Sequence, residues 1–222
     1  MERWVTFDCY GTLIDWDAGI AEQLARLFPT AERMDLLARY HELEARVQKE
    51  SQSLKYRAVL TQTLTQLAAE ADLGLPEEEQ DALARALPDW RPFPETHDAL
   101  TRARDLGWRL AILSNSDPDL IAASKQLIDV TFDETVVASE IQSYKPSHGH
   151  WNEFFARTAA QREAYVHVAA SLFHDIAPCN DLGLESIWIN RKQEVPDISV
   201  ARELPDLTTL PDVLEELVSL AR

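Results

Sequence analysis

Two changes of hydrophobic rhythm and one long alternation predict an α/β protein. Its expected form is a parallel sheet covered by helices on both faces, with an all-helical unit inserted near the amino end. The apolar run RWVTFD (3–8) reads as a short buried strand and ends in a Gly-Thr turn. From about residue 15 the pattern turns helical: Leu36, Leu37, Tyr40, Leu43 and Val47 recur at three- and four-residue steps, as do Tyr56, Val59, Leu60, Leu64 and Leu67. PDWRPFP (88–94) cannot continue a helix and serves as the return linker. The expected division is a core of residues 1–14 and 92–222, with 15–91 inserted.

After the linker, strands and helices alternate. A helix near 95–106 ends at Gly107, and the strand WRLAILSN follows. The next helix begins around Asp117 and Pro118. Then come the apolar VTFDETVVA segment, a helix from about 150, the strands YVHVAA and ESIWIN, and a last helix from Thr209 with Asp212 three residues on. Such alternation gives a parallel sheet, in which functional residues gather beyond the carboxyl ends of the strands. Asp8, Ser114, Lys145 and Asp175 all fall at or just after apolar segments.

The formal charge is −17, from 21 basic and 38 acidic side chains. Such a field repels nucleic acid and anionic membranes, so neither is expected as a partner. It also repels a small carboxylate at long range, so a site for an anionic small molecule must be locally positive. The two cysteines supply neither a disulfide framework nor a zinc spacing. MERWVTFDCYGT lacks the charged-then-apolar pattern of a signal, and no apolar run approaches ~18 residues, so the expected compartment is the cytoplasm. A homodimer is left open.

FDCYGTL (7–13), ILSNS (112–116), YKP (144–146) and HVAASLFHD (167–175) stand in an order that resembles the four motifs of the HAD superfamily. The resemblance spans the chain and implies a Rossmann-like core with a helical cap inserted after the first motif. It also implies that Asp8 is a covalent nucleophile, oriented by Thr12 and kept ionised by Lys145. Ser114 and Asn115 suit an anion or oxyanion as neutral hydrogen-bond donors, with the capping of the next helix as the alternative.

Two departures separate this chain from the superfamily's phosphatases. Tyr10 stands where they carry a general acid, and Ala169-Ala170 replaces the usual Gly-Asp, leaving Asp175 alone. Halide leaves without a proton, and magnesium prefers several hard oxygen ligands. Both changes are shared with the L-2-haloacid dehalogenases. The resemblance therefore implies metal- and cofactor-free hydrolysis of short 2-haloacids, through an ester on Asp8 opened by water near Asp175, with inversion at carbon. A magnesium-dependent phosphatase and a non-catalytic binding protein are the alternatives. For the substrate pocket, Arg39 fits the distance of the family's halide-binding arginine, although the helix can be aligned with Tyr40 there. Trp151 replaces a family tyrosine and suits either a pocket wall or the core. Ser171 and His174 are candidates beside the hydrolytic water, and Cys9 is expected to face the core, away from Asp8.

Overall fold

In the computed structural model, which describes residues 2–31, 33–50 and 54–220, six parallel strands form one sheet. The strands are β1 (Arg3–Phe7), β2 (Trp108–Ser114), β3 (Glu134–Val137), β4 (Tyr165–Ala169), β5 (Ser186–Ile189) and β6 (Arg202–Leu204). Their order is β3-β2-β1-β4-β5-β6. The chain builds outward from β1 through β2 to β3, then crosses back to place β4 on the other side of β1. That reversal makes the carboxyl ends of β1, β2 and β4 the mouth of a crevice.

The strands are almost continuously apolar because both faces are covered. Along β2, Leu110 and Ile112 enter one core while Ala111 and Leu113 enter the other. One face carries α5 (Thr96–Asp105) and α7 (Leu210–Leu220), which pack together. The last helix starts where expected, with the carbonyl of Thr209 accepting from the backbone of Asp212 and Val213. On the opposite face α6 (Gly149–Thr158) lays Trp151 and Phe154 against Trp4 and Tyr165.

Between β1 and β2 run α1 (Trp16–Leu27), α2 (Arg33–Glu50), α3 (Tyr56–Glu70) and α4 (Ala82–Ala86), packed chiefly on one another. No strand occurs among the described residues of 15–91, as the hydrophobic period predicts. The exit and return segments are stitched together: Asp15 donates to the carbonyl of Arg91, and Phe93 donates to that of Leu13. Asp15 caps α1 by accepting from the backbone of Ala18 at 3.0 Å. One turn on, Gly19 lies so close to Trp90 that a Cβ there would come within 2.5 Å of the ring. Only glycine lets α1 dock on the linker. No helix among the described residues is long and apolar enough to cross a membrane.

Candidate active site

The backbone N–H of Asp8, just past β1, donates to the carbonyl of Val168 on β4, which fixes the carboxylate at the sheet's reversal point. Gly11 supplies the positive φ of +84° that turns the chain back over it. The Thr12 hydroxyl donates to Asp8 Oδ2 at 3.1 Å and accepts from the Ala170 N–H at 3.0 Å. Lys145 Nζ reaches the other oxygen of Asp8 at 2.7 Å, Asp175 Oδ1 at 2.7 Å and the Leu113 carbonyl at 2.9 Å. Its three donors are thus all used in a fully buried place.

Three buried charges with two negative signs need further support, and the fold provides it unevenly. His167 on β4 donates Nε2–H to Asp175 Oδ1 at 2.9 Å, and its Nδ1 lies 2.7 Å from the Thr6 hydroxyl. Thr6 in turn meets the Tyr165 hydroxyl at 2.7 Å. Burial works against the Asp175 carboxylate, but Lys145 and His167 outweigh it and hold its pKa well below the usual range. No histidine among the described residues hydrogen-bonds to Asp8, and His167 acts on it only at a distance. Burial raises its pKa above the ordinary value despite Lys145, so its oxygen is more basic than that of a hydrated carboxylate. The two carboxylates raise Lys145 further than burial lowers it, and it stays charged. Asp175 Oδ2 has no hydrogen-bond partner among the described residues.

These groups form the floor of a cavity of about 650 Å³. Tyr10 lines it, with its ring stacked on Tyr56 of α3 at 5.9 Å and its hydroxyl turned to Ser124 at 3.2 Å. Ser171 and His174 line it too, tied together by bonds of 3.0 and 3.1 Å in the π-helical turn Leu172–Ile176. Burial lowers the pKa of His174, which keeps it neutral near pH 7. Ser114 lines the floor, while its carbonyl accepts from Nε2 of buried His150, whose pKa burial pushes down to about 3. Cys9 is buried, as the strand alternation predicts.

Three expectations change. Arg39 is not in the cavity; it leans on Asp35 at 4.0 Å and on the Glu70 carbonyl at 3.4 Å. The cavity face of α2 is His41, Glu44, Ala45 and Gln48, the i, i+3, i+4, i+7 stripe, and Arg39 lies off it. Trp151 is not a pocket wall but a core residue, edge-on to His167 at 5.4 Å. Asn115 lines the cavity, yet its carboxamide clamps Lys145, accepting from that residue's N–H at 2.6 Å and donating to its carbonyl at 2.9 Å. One N–H of Asn115 is left for a ligand.

Several cavity residues escaped the sequence reading. Arg191 and Lys192 follow β5 after a single residue, Asn190. Arg191 donates to Glu95 at 2.7 Å and to the Thr12 carbonyl at 2.9 Å, stacks on Phe93, and leaves Nε unpartnered. Lys192 pairs with Asp17 at 2.8 Å. The strand-end rule applied to ESIWIN-RK would have found both. Glu44 and Trp188 carry no such signal, because a helix position and a strand tryptophan are ordinarily core.

A basic, buried carboxylate held by a hydroxyl and an ammonium can attack an electrophilic centre in the cavity and accept an acyl-type ester. The model of the haloacid dehalogenase-like hydrolases matches residues 2–215, and the chain belongs to that family. It is 28% identical over 200 residues to an (S)-2-haloacid dehalogenase of a Pseudomonas species, strain YL, covering 86% of this chain and 84% of that one. Over 128 residues it is 28% identical to a glyceraldehyde 3-phosphate phosphatase of Methanothermobacter thermautotrophicus, covering 55% and 56%. The L-2-haloacid dehalogenase of Xanthobacter autotrophicus, solved with chloropropionic acid covalently bound, superposes with a TM-score of 0.84 at 17% identity, over 97% of this chain and 99% of that one. At that identity the superposition speaks for the fold.

Proposed function

We propose that the chain is a 2-haloacid dehalogenase in which Asp8 displaces halide from the α-carbon, and that residues 15–91 are a cap closing over residues 1–14 and 92–222. The carrying observation is the pairing of Asp8 with Thr12 and Lys145 at the floor of the cavity. Asp8 Oδ attacks C2 from the side opposite the halogen, the carbon–halogen bond breaks, and halide leaves with its electron pair. Water then adds to the Asp8 carbonyl carbon, its proton taken by the unpartnered Oδ2 of Asp175 or passed to neutral His174. Collapse of that adduct releases the 2-hydroxy acid with inverted configuration and restores Asp8. Ser114 and the free N–H of Asn115 face the substrate carboxylate, with Arg191 adding positive charge.

The phosphatase reading lacks its proton donor. Burial pushes the Tyr10 hydroxyl far up, and that hydroxyl is turned to Ser124 instead of the cavity floor. Halide does not need an acid there.

One single turnover in heavy-oxygen water decides the matter. Label is expected in the Asp8 side chain first, with the product hydroxyl carrying oxygen already in the protein, and halide release is expected to survive exhaustive chelation. Label appearing directly in the first-turnover product would mean that water attacks carbon. A strict magnesium requirement would restore the phosphatase.

A further inference from the structure

The cavity is much larger than a two- or three-carbon haloacid requires, for about 650 Å³ is in the range that takes drug-sized ligands. What fills the remainder must suit the wall opposite the sheet. That wall holds Glu44 of α2, which is only 5% exposed, with Gln48 one turn on and the rings of Trp16, Tyr56 and Tyr10 around it. Trp16 Nε1 donates to the Tyr56 hydroxyl at 3.0 Å, and that hydroxyl donates to Glu44 Oε1 at 3.0 Å. Tyr10, two residues after Asp8, stacks on Tyr56, so the aromatic surface runs from the nucleophile to Glu44 without a break.

Glu44 has no cationic partner among the described residues, whereas the neighbouring Asp17 is paired with both His41 at 3.1 Å and Lys192 at 2.8 Å. A desolvated carboxyl bonded only to neutral donors is costly, and a leucine would pack there more cheaply. A carboxyl beside aromatic faces in a cavity is the chemistry that receives an ammonium ion, through a charge-assisted hydrogen bond and the ring quadrupoles.

We propose that the α1–α3 wall is an ammonium subsite centred on Glu44, so that the substrate is a 2-haloacid with an amine at the far end of its chain. The proposal rests on the dehalogenase reading for the halogen-bearing end only. It also resolves the charge problem: such an acid is a net-neutral zwitterion, which a protein of charge −17 does not repel. Burial raises the Glu44 pKa to about 7, against the lowering effect of Tyr56 and Gln48. The titratable groups around it are Tyr40, Tyr56, Asp17 and His41, with Lys192 on Asp17. An arriving ammonium favours the carboxylate, so binding near pH 7 should expel part of a proton.

The test uses unreactive products and reactive acids together. Binding of 2-hydroxy acids of four to six carbons, with and without a terminal amine, is measured by calorimetry at pH 7 in two buffers of different ionisation enthalpy. The best amine-bearing acid should bind about tenfold or more tighter than its chain-matched partner and release a fraction of a proton. Glu44→Gln should erase both differences. Tyr56→Phe, which removes a donor to the carboxylate, should move the pH midpoint of amine preference upward. Equal binding of the two series by the wild-type protein overturns the proposal, whatever the variants do. Halide release from the matching 2-chloro acids separates the two readings. Halide from neither series, with amine preference intact, defeats the dehalogenase reading and leaves the subsite standing. Halide from both series at equal kcat/KM defeats the subsite alone.

Discussion

Two buried charged regions face each other across the cavity, and they are neutralised in opposite ways. On the sheet side, Asp8 and Asp175 share the ammonium of Lys145, and Asp175 gains His167 as a second donor. On the α2 side, Glu44 receives only a tyrosine hydroxyl and an amide among the described residues. Lys145 and Asp175 therefore stay ionised across the physiological range, while Glu44 sits near its midpoint at neutral pH. Fixed charge suits a reacting centre that must be ready before substrate arrives; a poised carboxyl suits recognition, because its charge state follows its ligand.

The hardest way to break that contrast is to remove the shared cation. Lys145→Met leaves two buried carboxylates uncompensated, and breaking a buried pair by removing one partner costs about 3–5 kcal/mol. Urea unfolding at pH 7 should show a loss of that size, and halide release should fall by about a thousandfold or more, since Asp8 is then protonated or misdirected. A variant within 1 kcal/mol of wild type, on the scale of an ordinary surface change, would mean that the sheet-side network is no better compensated than Glu44. His167→Leu is gentler. Asp175 keeps Lys145 but loses the donor that fixes its rotation, and a misplacement of ~1 Å costs up to about a hundredfold in rate. The loss should fall on ester hydrolysis and spare alkylation, so an adduct on Asp8 should accumulate in the mass spectrum. Slowing of both steps alike would make His167 a packing residue.

Glu44 gives the contrast a pH dependence of known sign. Its folded pKa of about 7 lies above the ordinary 4.5, so its neutral form is favoured in the folded state. The stability this gives is fully present below pH 4.5 and is lost as pH rises through about 7. Glu44→Gln cannot ionise. Relative to wild type, it should therefore gain about 2–3 kcal/mol between pH 4.5 and pH 8. Parallel curves for the two proteins would place the Glu44 pKa at its ordinary value and remove the difference between the two walls.

The sheet side was legible in the sequence because strand ends are few and the parallel sheet brings them to one edge. Asp8, Thr12, Lys145 and Asp175 meet there as the motif order implied, and the helical period of 15–91 foretold the absence of strands among its described residues. Arg191 and Lys192 were readable by the same rule. The α2 wall was not, because residue spacing from Asp8 says nothing about how a helix is rotated. Each residue along a helix turns by about 100°, so a one-residue doubt between Arg39 and Tyr40 is a doubt about which side faces the cavity. Trp151 illustrates the other limit: a tryptophan in an apolar stripe fits a pocket or a core equally until the opposite face, here Trp4 and Tyr165, is known.

Arg39 therefore yields the smallest expected effect and a sharp one. Its guanidinium makes only long contacts, 4.0 Å to Asp35 and 3.4 Å to the Glu70 carbonyl, with its side chain 38% exposed. Exposed pairs of this kind contribute little, so Arg39→Ala should change stability by less than about 0.5 kcal/mol. Halide release from 2-chloropropionate should stay within about twofold, the change expected when no contact to the reacting atoms is lost. A halide-binding arginine behaves differently: its removal strips positive charge from the leaving group and lowers kcat for every haloacid. To reach the cavity, Arg39 would have to occupy the side now taken by His41, two residues and about 200° further round α2, which would carry buried Tyr40 and Glu44 out of their present contacts. A large loss of kcat in Arg39→Ala would thus require α2 to be seated differently during turnover, and would remove Glu44 from the wall that faces Asp8.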